Sequence, residues 1–295
     1  MDEYGSLGDA IKNIYGEELS VKEMLPVSGG DINNAYACCL SDGSRLFMKS
    51  NKKENLDFFR KEAEGLAAIN KTETIRTPDV LGFGTDKDRS FLLLSFIDPQ
   101  KPAVSYLGNF GRRLALMHSA FAEDHVVSGR FGFIHDNYIG AGFQVNSPKD
   151  TWTDFFRECR LKPQFSRAER FFSPPVIKKA IKLMDRLDTF LIEPESPSLL
   201  HGDLWSGNYM IGPDGEAWLI DPAVYVGHAE ADIAMTELFG GFGMDFYRAY
   251  RETKPMVSGY EDRKDLYNLY HLLNHLNLFG AGYLSSVQRI LDRYV

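Results

Sequence analysis

The chain has 295 residues, 44% of them apolar and 25% charged, a balance ordinary for a soluble globular protein. This length allows two domains with a sizeable core. The net charge of −8 argues against nucleic acid or an anionic membrane as the main partner, and no apolar run approaches the length of a membrane span.

The first residues lack the basic and apolar regions of a signal peptide. The three cysteines are Cys38, Cys39 and Cys159. Adjacent cysteines on a strand point to opposite faces, so we expect no bridge between Cys38 and Cys39. Together these features predict a protein of the reducing cytoplasm.

The N-terminal part of the chain reads as a helix followed by strands. Residues 6–16 have the spacing of a short amphipathic helix, and residues 24–49 read as three strands joined by two turns. Gly29 and Gly30 occupy the first turn, where two glycines can let backbone amides approach phosphate oxygens. A Gly-Gly turn more often has no ligand-binding role, so only the motifs later in the chain support a phosphate-binding loop here.

Lys49 ends the third strand, and its ammonium group either reaches water or pairs with a carboxylate. The apolar residues from Leu56 to Ile69 recur at helical spacing, which predicts a helix. At about 100° per residue, Glu62 lies about 60° from the centre of the apolar face and Glu64 about 140° from it. Glu62 is therefore the carboxylate predicted to face Lys49, a pairing by which kinases position a lysine on ATP phosphates.

Residues 90–97 read as a buried strand that ends at a proline break. Its position predicts the link between two lobes, where backbone groups of Ser95, Phe96 and Ile97 would hydrogen-bond an adenine. After this link the pattern becomes mainly helical, and His118 lies on an apolar helix face, where we expect a core residue.

Residues 131–164 combine aromatic side chains with Asn137, Gln144 and Asn146. This composition predicts a loop with exposed amides, a surface suited to a polar ligand. An ordinary connection between helices fits the same pattern.

The motif that organises the chain is His201-Gly202-Asp203, followed by Asn208 and later by Asp221. Residues 209–211 and 217–220 read as short strands around a Gly-Pro-Asp-Gly turn, and such a hairpin would bring Asn208 beside Asp221. An amide oxygen and a carboxylate in one place suit a hard cation such as Mg²⁺. Asp203 is then left to orient a hydroxyl and accept its proton, as in a phosphotransferase. A surface hairpin beside a helix start is the competing interpretation.

Two further groups of side chains resemble metal sites. His228, Glu230 and Asp232 are interpreted as hydrogen-bonded support for the loop, with Asp232 near a helix start and His228 also a candidate substrate contact. His271 and His275 share a helix face at a spacing that zinc proteases use. The adjacent glutamate of those proteases is missing, so helix packing is the better interpretation.

The sequence resembles the fructosamine and ketosamine kinases, which belong to the small-molecule branch of kinase-like enzymes together with aminoglycoside and choline kinases. The segments HGDLWSGN (201–208), DPAVYVGHAEADIAM (221–235) and GGDIN (29–33) carry the resemblance, which extends over nearly the whole chain. Many relatives have a glutamate where Ser95 stands. Some have a cysteine where Asp31 stands, so no redox switch is expected at that point.

The resemblance implies an α+β, two-lobed, protein-kinase-like fold. The smaller lobe, residues 1–97, would be an antiparallel sheet with one helix, and the larger lobe, residues 98–295, would be mainly helical. The implied reaction is transfer of the γ-phosphoryl group of ATP, with Mg²⁺, to the 3-hydroxyl of a ketosamine, a sugar already joined to an amine. The phosphorylated product is unstable and loses its sugar, so the resemblance implies an enzyme that repairs glycated amines.

The resemblance also assigns a role to each motif residue. The catalytic base is Asp203, and the magnesium ligands are Asn208 and Asp221. The cofactor contacts are Gly29, Gly30, Lys49, Glu62, Ser95, Phe96 and Ile97. The substrate contacts are Trp205, Asp31 and His228.

Two other functions stay open on the sequence alone. One is a kinase of another small alcohol or amine, such as an aminoglycoside or a choline-like acceptor. The other is a non-catalytic nucleotide-binding regulator, which is disfavoured by the complete set Lys49, Glu62, Asp203, Asn208 and Asp221. A protein kinase is weaker again, because nothing after Asp221 resembles a long activation segment.

Overall fold

The computed structural model describes residues 2–27, 32–120, 125–126 and 128–295. The chain divides into two compact units, and each contains two separate stretches of sequence. The first unit comprises Met1–Tyr106 and Met210–Asp221, and the second comprises Leu107–Tyr209 and Pro222–Val295.

A six-stranded sheet forms the centre of the first unit, with the strand order β1-β5-β6-β4-β3-β2. The strands are β1 (Glu3–Tyr4), β2 (Val21–Val27), β3 (Asn34–Leu40), β4 (Arg45–Lys52), β5 (Val80–Asp86) and β6 (Arg89–Ser95). All neighbours are antiparallel except β1, which runs parallel to β5. The sheet is therefore mixed, and the prediction of a purely antiparallel one is corrected.

Two helices pack on this sheet: the fold class implied one, and the spacing of residues 6–16 predicted the other. Alternate residues of a strand face opposite sides, and β6 uses both. Phe91 and Leu93 join the cluster around α1 (Leu7–Tyr15), while Leu92 and Leu94 join the cluster around α2 (Leu56–Asn70). Both faces of the sheet are thus buried, as its apolar central strands require.

Helix α2 positions one of the predicted site residues. Phe59, Ala63 and Leu66 are fully buried against the sheet, and Glu62 lies on the same side of the helix, where its carboxylate binds Lys49. The predicted orientation of Glu62 is confirmed. Glu64 is half-buried rather than fully solvated, because Lys61 pairs with it at 3.2 Å.

Cys38 and Cys39 lie on β3 and are both free thiols. Cys38 is buried in the cluster around α1, whereas Cys39 is partly exposed on the other side of the strand. Burial raises the pKa of the Cys38 thiol to about 11. The prediction that the two cysteines do not bridge is confirmed.

The second stretch of the first unit contains the predicted hairpin. Strands β10 (Tyr209–Ile211) and β11 (Ala217–Leu219) pair with each other around residues 212–215. The turn closes through the Gly215 amide, which donates to the Gly212 carbonyl at 3.0 Å. Gly215 has a φ of +74°, a conformation that favours glycine.

The second unit is mainly helical, as predicted for the later part of the chain. Its helices are α3 (Tyr106–Met117), α4 (Trp152–Phe155), α5 (Lys162–Ala168), α6 (Pro174–Asp185), α7 (Glu230–Leu238), α8 (Met244–Thr253), α9 (Tyr260–Phe279) and α10 (Leu284–Tyr294). A π-helical stretch, Phe156–Leu161, joins α4 to α5. Two short strand pairs complete the unit: β7 (Asn137–Ile139) with β8 (Gly142–Gln144), and β9 (Ser198–Leu200) with β12 (Tyr225–Gly227). Within the described ranges, no helix is both long and apolar enough to cross a membrane.

The amides of residues 131–164 are buried, so the prediction of an exposed, ligand-binding loop is wrong for them. Asn137 donates to the Val224 carbonyl at 2.7 Å, and Gln144 donates to the Ala223 carbonyl at 3.0 Å. Asn146 accepts from the fully buried guanidinium of Arg160 at 2.8 Å. These bonds satisfy the polar groups inside the unit, and the network supports the chain directly after Asp221.

Candidate active site

The loop 201–208 follows β9 in the second unit. The Ala223 amide donates to the His201 carbonyl at 2.8 Å, which draws the chain around residue 223 close to the loop. Gly202 has a φ of +83°, and a Cβ there would collide with the Ala223 carbonyl. Only glycine fits this position, which accounts for the Gly in the His-Gly-Asp motif.

Asp232 holds the start of this loop from α7. It is 1% exposed, and it accepts from the amides of His201 at 2.7 Å and Gly202 at 2.9 Å. His118 lies 3.1 Å from the same carboxylate, and its other ring nitrogen lies 2.8 Å from the Tyr250 hydroxyl. Burial alone would raise the pKa of Asp232, but the bonds from His118 and Gly202 lower it below its usual value. Asp232 is loop support, as predicted.

Asn208 and Asp203 are joined within the loop. The Asn208 side-chain amide donates to the Asp203 carbonyl oxygen at 2.7 Å and to its carboxylate oxygen Oδ2 at 3.2 Å. The Asn208 backbone amide donates to the Trp205 carbonyl at 3.0 Å, which tightens the turn. Because the NH₂ group is turned toward Asp203, the Asn208 side-chain oxygen points away from it.

Trp205 is 38% exposed, the largest exposed aromatic surface in the loop. Its ring lies over Gly207, where a Cβ would come within 2.5 Å of Cη2, so a larger residue at 207 would displace the ring. Phe239 meets it edge-on at 6.2 Å between ring centroids. The Trp205 ring, two residues after Asp203 in the sequence, is therefore partly exposed to solvent.

His228 is 4% exposed, and its ring packs against Trp152 and Tyr267 at 6.1 and 6.0 Å between centroids. Its Nδ1 accepts from the Glu230 amide at 3.1 Å. Glu230 itself binds Arg263 through two hydrogen bonds of 2.8 and 2.7 Å. The position of His228 is that of a supporting residue.

The first unit contains the predicted lysine pair. Lys49 is buried on β4, and its ammonium donates to Glu62 at 2.5 Å and also to Asp221. Burial alone would lower the pKa of Lys49, but the carboxylates of Asp221 and Glu62 raise it above its usual value. Asp221 has a φ of +55°, a conformation that aspartate tolerates better than most residues. The lysine is therefore charged and fixed by two carboxylates.

The predicted adenine-binding segment begins at Ser95, the last residue of β6. Ser95 is anchored to Asp79, whose amide donates to the Ser95 hydroxyl at 2.8 Å and whose carbonyl accepts from the Ser95 amide at 2.9 Å. Arg45 covers the Phe96 ring at 4.3 Å.

Gly29, Gly30 and Asp31 lie outside the described residues, so the predicted phosphate loop stays a prediction. The predicted convergence of Asn208 and Asp221 also stays a prediction, because Asn208 belongs to the second unit and Asp221 to the first. Within the residues described, no group of three or more His, Cys, Asp or Glu side chains is arranged to hold a metal ion.

His271, which sequence reasoning assigned only to packing, lies near Asp203. It lies on α9, and its Nδ1 is 3.9 Å from the Asp203 carboxylate oxygen Oδ1. Its spacing to His275 indicated a common helix face, but no local pattern points to Asp203, which lies 68 positions earlier in the chain. The role of His118 in holding Asp232 was hidden for the same reason.

Because His228 and His271 are buried, we expect the free energy of unfolding to fall in acid. Burial lowers the pKa of His228 to about 4 and that of His271 to about 3, whereas an unfolded histidine titrates near 6.5. As the pH falls below about 6.5, the unfolded chain binds protons that the folded chain does not, so stability is present above this pH and is lost below it. We expect unfolding in urea to show a loss on the order of 4 kcal/mol between about pH 7.5 and pH 5 from the two together.

The control for this prediction is His228→Asn, which keeps an acceptor for the Glu230 amide but removes the titrating ring. Its stability should fall about half as steeply over this pH range, if each histidine contributes equally. An unchanged slope in this variant would contradict the assignment to His228.

Solved structures with a similar fold are phosphotransferases. A Haemophilus somnus protein assigned as a fructosamine-3-kinase superimposes with a TM-score of 0.88 at 29% identity, covering 98% of this chain and 97% of that chain. An aminoglycoside phosphotransferase solved with ADP and hygromycin B superimposes with a TM-score of 0.65 at 14% identity, covering 97% of this chain and 96% of that one. The second similarity concerns the fold alone. The fold is that of the kinase-like phosphotransferases.

The family model for fructosamine kinase matches residues 5–295. A Synechocystis protein assigned as a ketoamine kinase is 41% identical, over 98% of this chain and 95% of its own length. The chloroplastic protein-ribulosamine 3-kinase of Oryza sativa is 38% identical, over 95% of this chain and 81% of its own length. The chain belongs to the fructosamine kinase family.

Proposed function

We propose that this protein transfers the γ-phosphoryl group of ATP to the 3-hydroxyl of a ketosamine, a fructosamine or ribulosamine. Membership of the fructosamine kinase family carries the proposal, and the names of the similar proteins support the position of transfer. The intact Lys49–Glu62 pair and the ordered Asp203 loop support a catalytic rather than a regulatory protein. The physiological purpose would be repair of glycated amines, whether free or within proteins.

The proposed base is Asp203. A carboxylate held by Asn208 can accept a hydrogen bond from the acceptor hydroxyl and take its proton as the new P–O bond forms. Asp232 binds the backbone amides of His201 and Gly202 and so fixes the loop that carries Asp203. Phosphoryl transfer depends mainly on positioning, so a rigid loop is the main requirement for catalysis here.

The proposed phosphate contact is Lys49. Two carboxylates keep the ammonium group charged and in place, and it can hold phosphate oxygens while Glu62 fixes it. Gly29 and Gly30 are proposed to cover the phosphates. Residues 95–97 are proposed to bind the adenine, chiefly through Phe96 and Ile97, since the Ser95 amide already donates to Asp79.

Asn208 and Asp221 are proposed as the magnesium ligands. An amide oxygen turned away from Asp203 and a carboxylate are the hard oxygen ligands that this ion takes, so the residues fit it. Mg²⁺ would neutralise charge on the phosphates. The assignment rests on residue type and on the family, because the two residues belong to different units.

The acceptor is proposed to contact Trp205, whose exposed ring could pack on a sugar face, and Asp31. We assign His228 to support instead, because its ring is buried between aromatic side chains. We also propose that the two units correspond to the two lobes of a kinase, with residues 98–106 and 210–221, which the sequence assigned to the larger lobe, in the smaller one.

Glu62→Gln should lower kcat/KM for ATP about 10- to 100-fold without unfolding the protein, because the neutral amide oxygen holds the Lys49 ammonium more weakly than the carboxylate does. Glu64→Gln is the matched control on the same helix, since Glu64 pairs with Lys61 instead. Steady-state kinetics with varied ATP would check this. Equal effects of the two substitutions would remove the positioning role from Glu62.

Phosphorus NMR with Mg·ATP and ribuloselysine or fructoselysine tests the function as a whole. We expect a new sugar-phosphate resonance and formation of ADP, both absent without the acceptor. Transfer only to an aminoglycoside or to choline would replace the proposed acceptor class. ATP that binds but is never consumed across the acceptor panel would overturn the kinase assignment and favour a regulator.

A further inference from the structure

The two carboxylate oxygens of Asp203 have different neighbours in the second unit. Oδ2 accepts from the Asn208 amide at 3.2 Å. Oδ1 faces the Nδ1 atom of His271 at 3.9 Å. The carboxylate is therefore approached from two independent elements, its own loop on one side and α9 on the other.

The His271 ring carries a buried polar atom with no partner. The side chain is 3% exposed, and among the described residues its Nδ1 makes no hydrogen bond. Burial and the neighbouring His275 keep the ring neutral near pH 7, and a neutral imidazole has one N–H group to donate. An unsatisfied buried polar atom costs free energy, and beside a carboxylate only the tautomer with its N–H group at Nδ1 can make a hydrogen bond.

The distance between His271 Nδ1 and Asp203 Oδ1 is slightly longer than a hydrogen bond. A hydrogen bond between a ring nitrogen and a carboxylate oxygen is about 3.0 Å long, so a displacement of about 0.9 Å would close the gap. Hydrogen bonds at active sites often tighten only when substrate is bound.

We propose that His271 is a positioning residue for Asp203, whose Oδ1 accepts from the His271 Nδ1–H group when an acceptor hydroxyl is bound. This inference rests on the proposed function, because it requires Asp203 to be the base. Held through Oδ1 by His271 and through Oδ2 by Asn208, the carboxylate cannot rotate, and one lone pair stays directed at the hydroxyl. The imidazole takes no proton in this scheme; the proton stays on Asp203.

Three substitutions of His271 separate a hydrogen-bonding role from a packing role. In His271→Asn the amide nitrogen lies near the position of Nδ1, so the donor is retained. In His271→Gln the amide reaches toward the position of Nε2, so the side chain is polar but the donor is misplaced. His271→Leu fills a similar volume with no donor at all. Thermal unfolding of each variant sets an assay temperature at which all three are folded.

We expect His271→Asn to keep kcat within about 3-fold of the natural protein, because the donor to Asp203 remains. His271→Leu and His271→Gln should lower kcat about 10- to 100-fold, with KM for ATP within about 2-fold, because only the carboxylate is disturbed. If His271→Leu does not fold, the kcat of His271→Gln is compared with that of His271→Asn alone.

Three outcomes would overturn the inference. These are a kcat for the Gln and Leu variants within about 3-fold of the natural protein, an Asn variant as impaired as Gln, or a loss that lies in KM for ATP alone. The natural protein assayed in parallel keeps this test separate from that of the proposed function. If it transfers phosphate to no ketosamine, the function fails; if it is active and the three variants behave alike, only the role of His271 fails.

Discussion

Asp203→Asn is expected to fold as the natural protein does and to lower kcat by about 10²- to 10⁴-fold, since the amide cannot accept the proton of the acceptor hydroxyl. The change is nearly isosteric, and the backbone carbonyl of residue 203 still accepts from Asn208 at 2.7 Å. Phosphorylation of a ketosamine, followed by phosphorus NMR, gives the rate. Thermal unfolding of the same sample verifies that the fold is retained.

The matched control is Asp185→Asn at the end of α6, an exposed aspartate of the second unit. It removes the same charge and should leave kcat unchanged. A turnover of Asp203→Asn close to that of the control would take the role of base away from Asp203.

The second large effect is expected for Asp232→Ala, which should destabilise the protein by about 3–5 kcal/mol and remove activity. The substitution deprives the amides of His201 and Gly202 and the ring of His118 of a shared buried acceptor. The loop that carries Asp203 then loses its support. Urea unfolding measures the stability, and the ketosamine assay measures the activity.

Asp245→Ala, in the first turn of α8, is the control for this prediction. Asp245 is exposed and pairs with Arg248 in the same helix, so its loss should cost less than about 1 kcal/mol. An Asp232→Ala variant as stable as this control would show that the loop does not depend on the buried carboxylate.

The sequence predicted those parts of the site that depend on local spacing. The helical period placed Glu62 on the side of α2 that faces Lys49, and the turn residues predicted the β10–β11 hairpin. Gly202 also follows a local rule, because its positive φ admits little else. Such features are encoded within a few residues, where steric and periodic constraints are strong.

Features that depend on distant partners were not predictable in this way. Asn137 and Gln144 look like surface residues by composition, but carbonyls far along the chain satisfy them inside the fold, at sequence separations of 87 and 79. The pairing of His118 with Asp232 spans 114 positions. A polar residue can be buried wherever the fold supplies a partner, and a single sequence does not reveal that partner.

The buried chain directly after Asp221 has a consequence for control of the protein in the cell. Residues 222–229 are all buried, and their backbone is tied to the 201–208 loop and to the amide network. Many protein kinases are switched on when phosphorylation orders a mobile segment in this part of the chain. Here that part is already ordered and inaccessible to a modifying enzyme. We therefore expect no phosphorylation switch of that kind within residues 222–229.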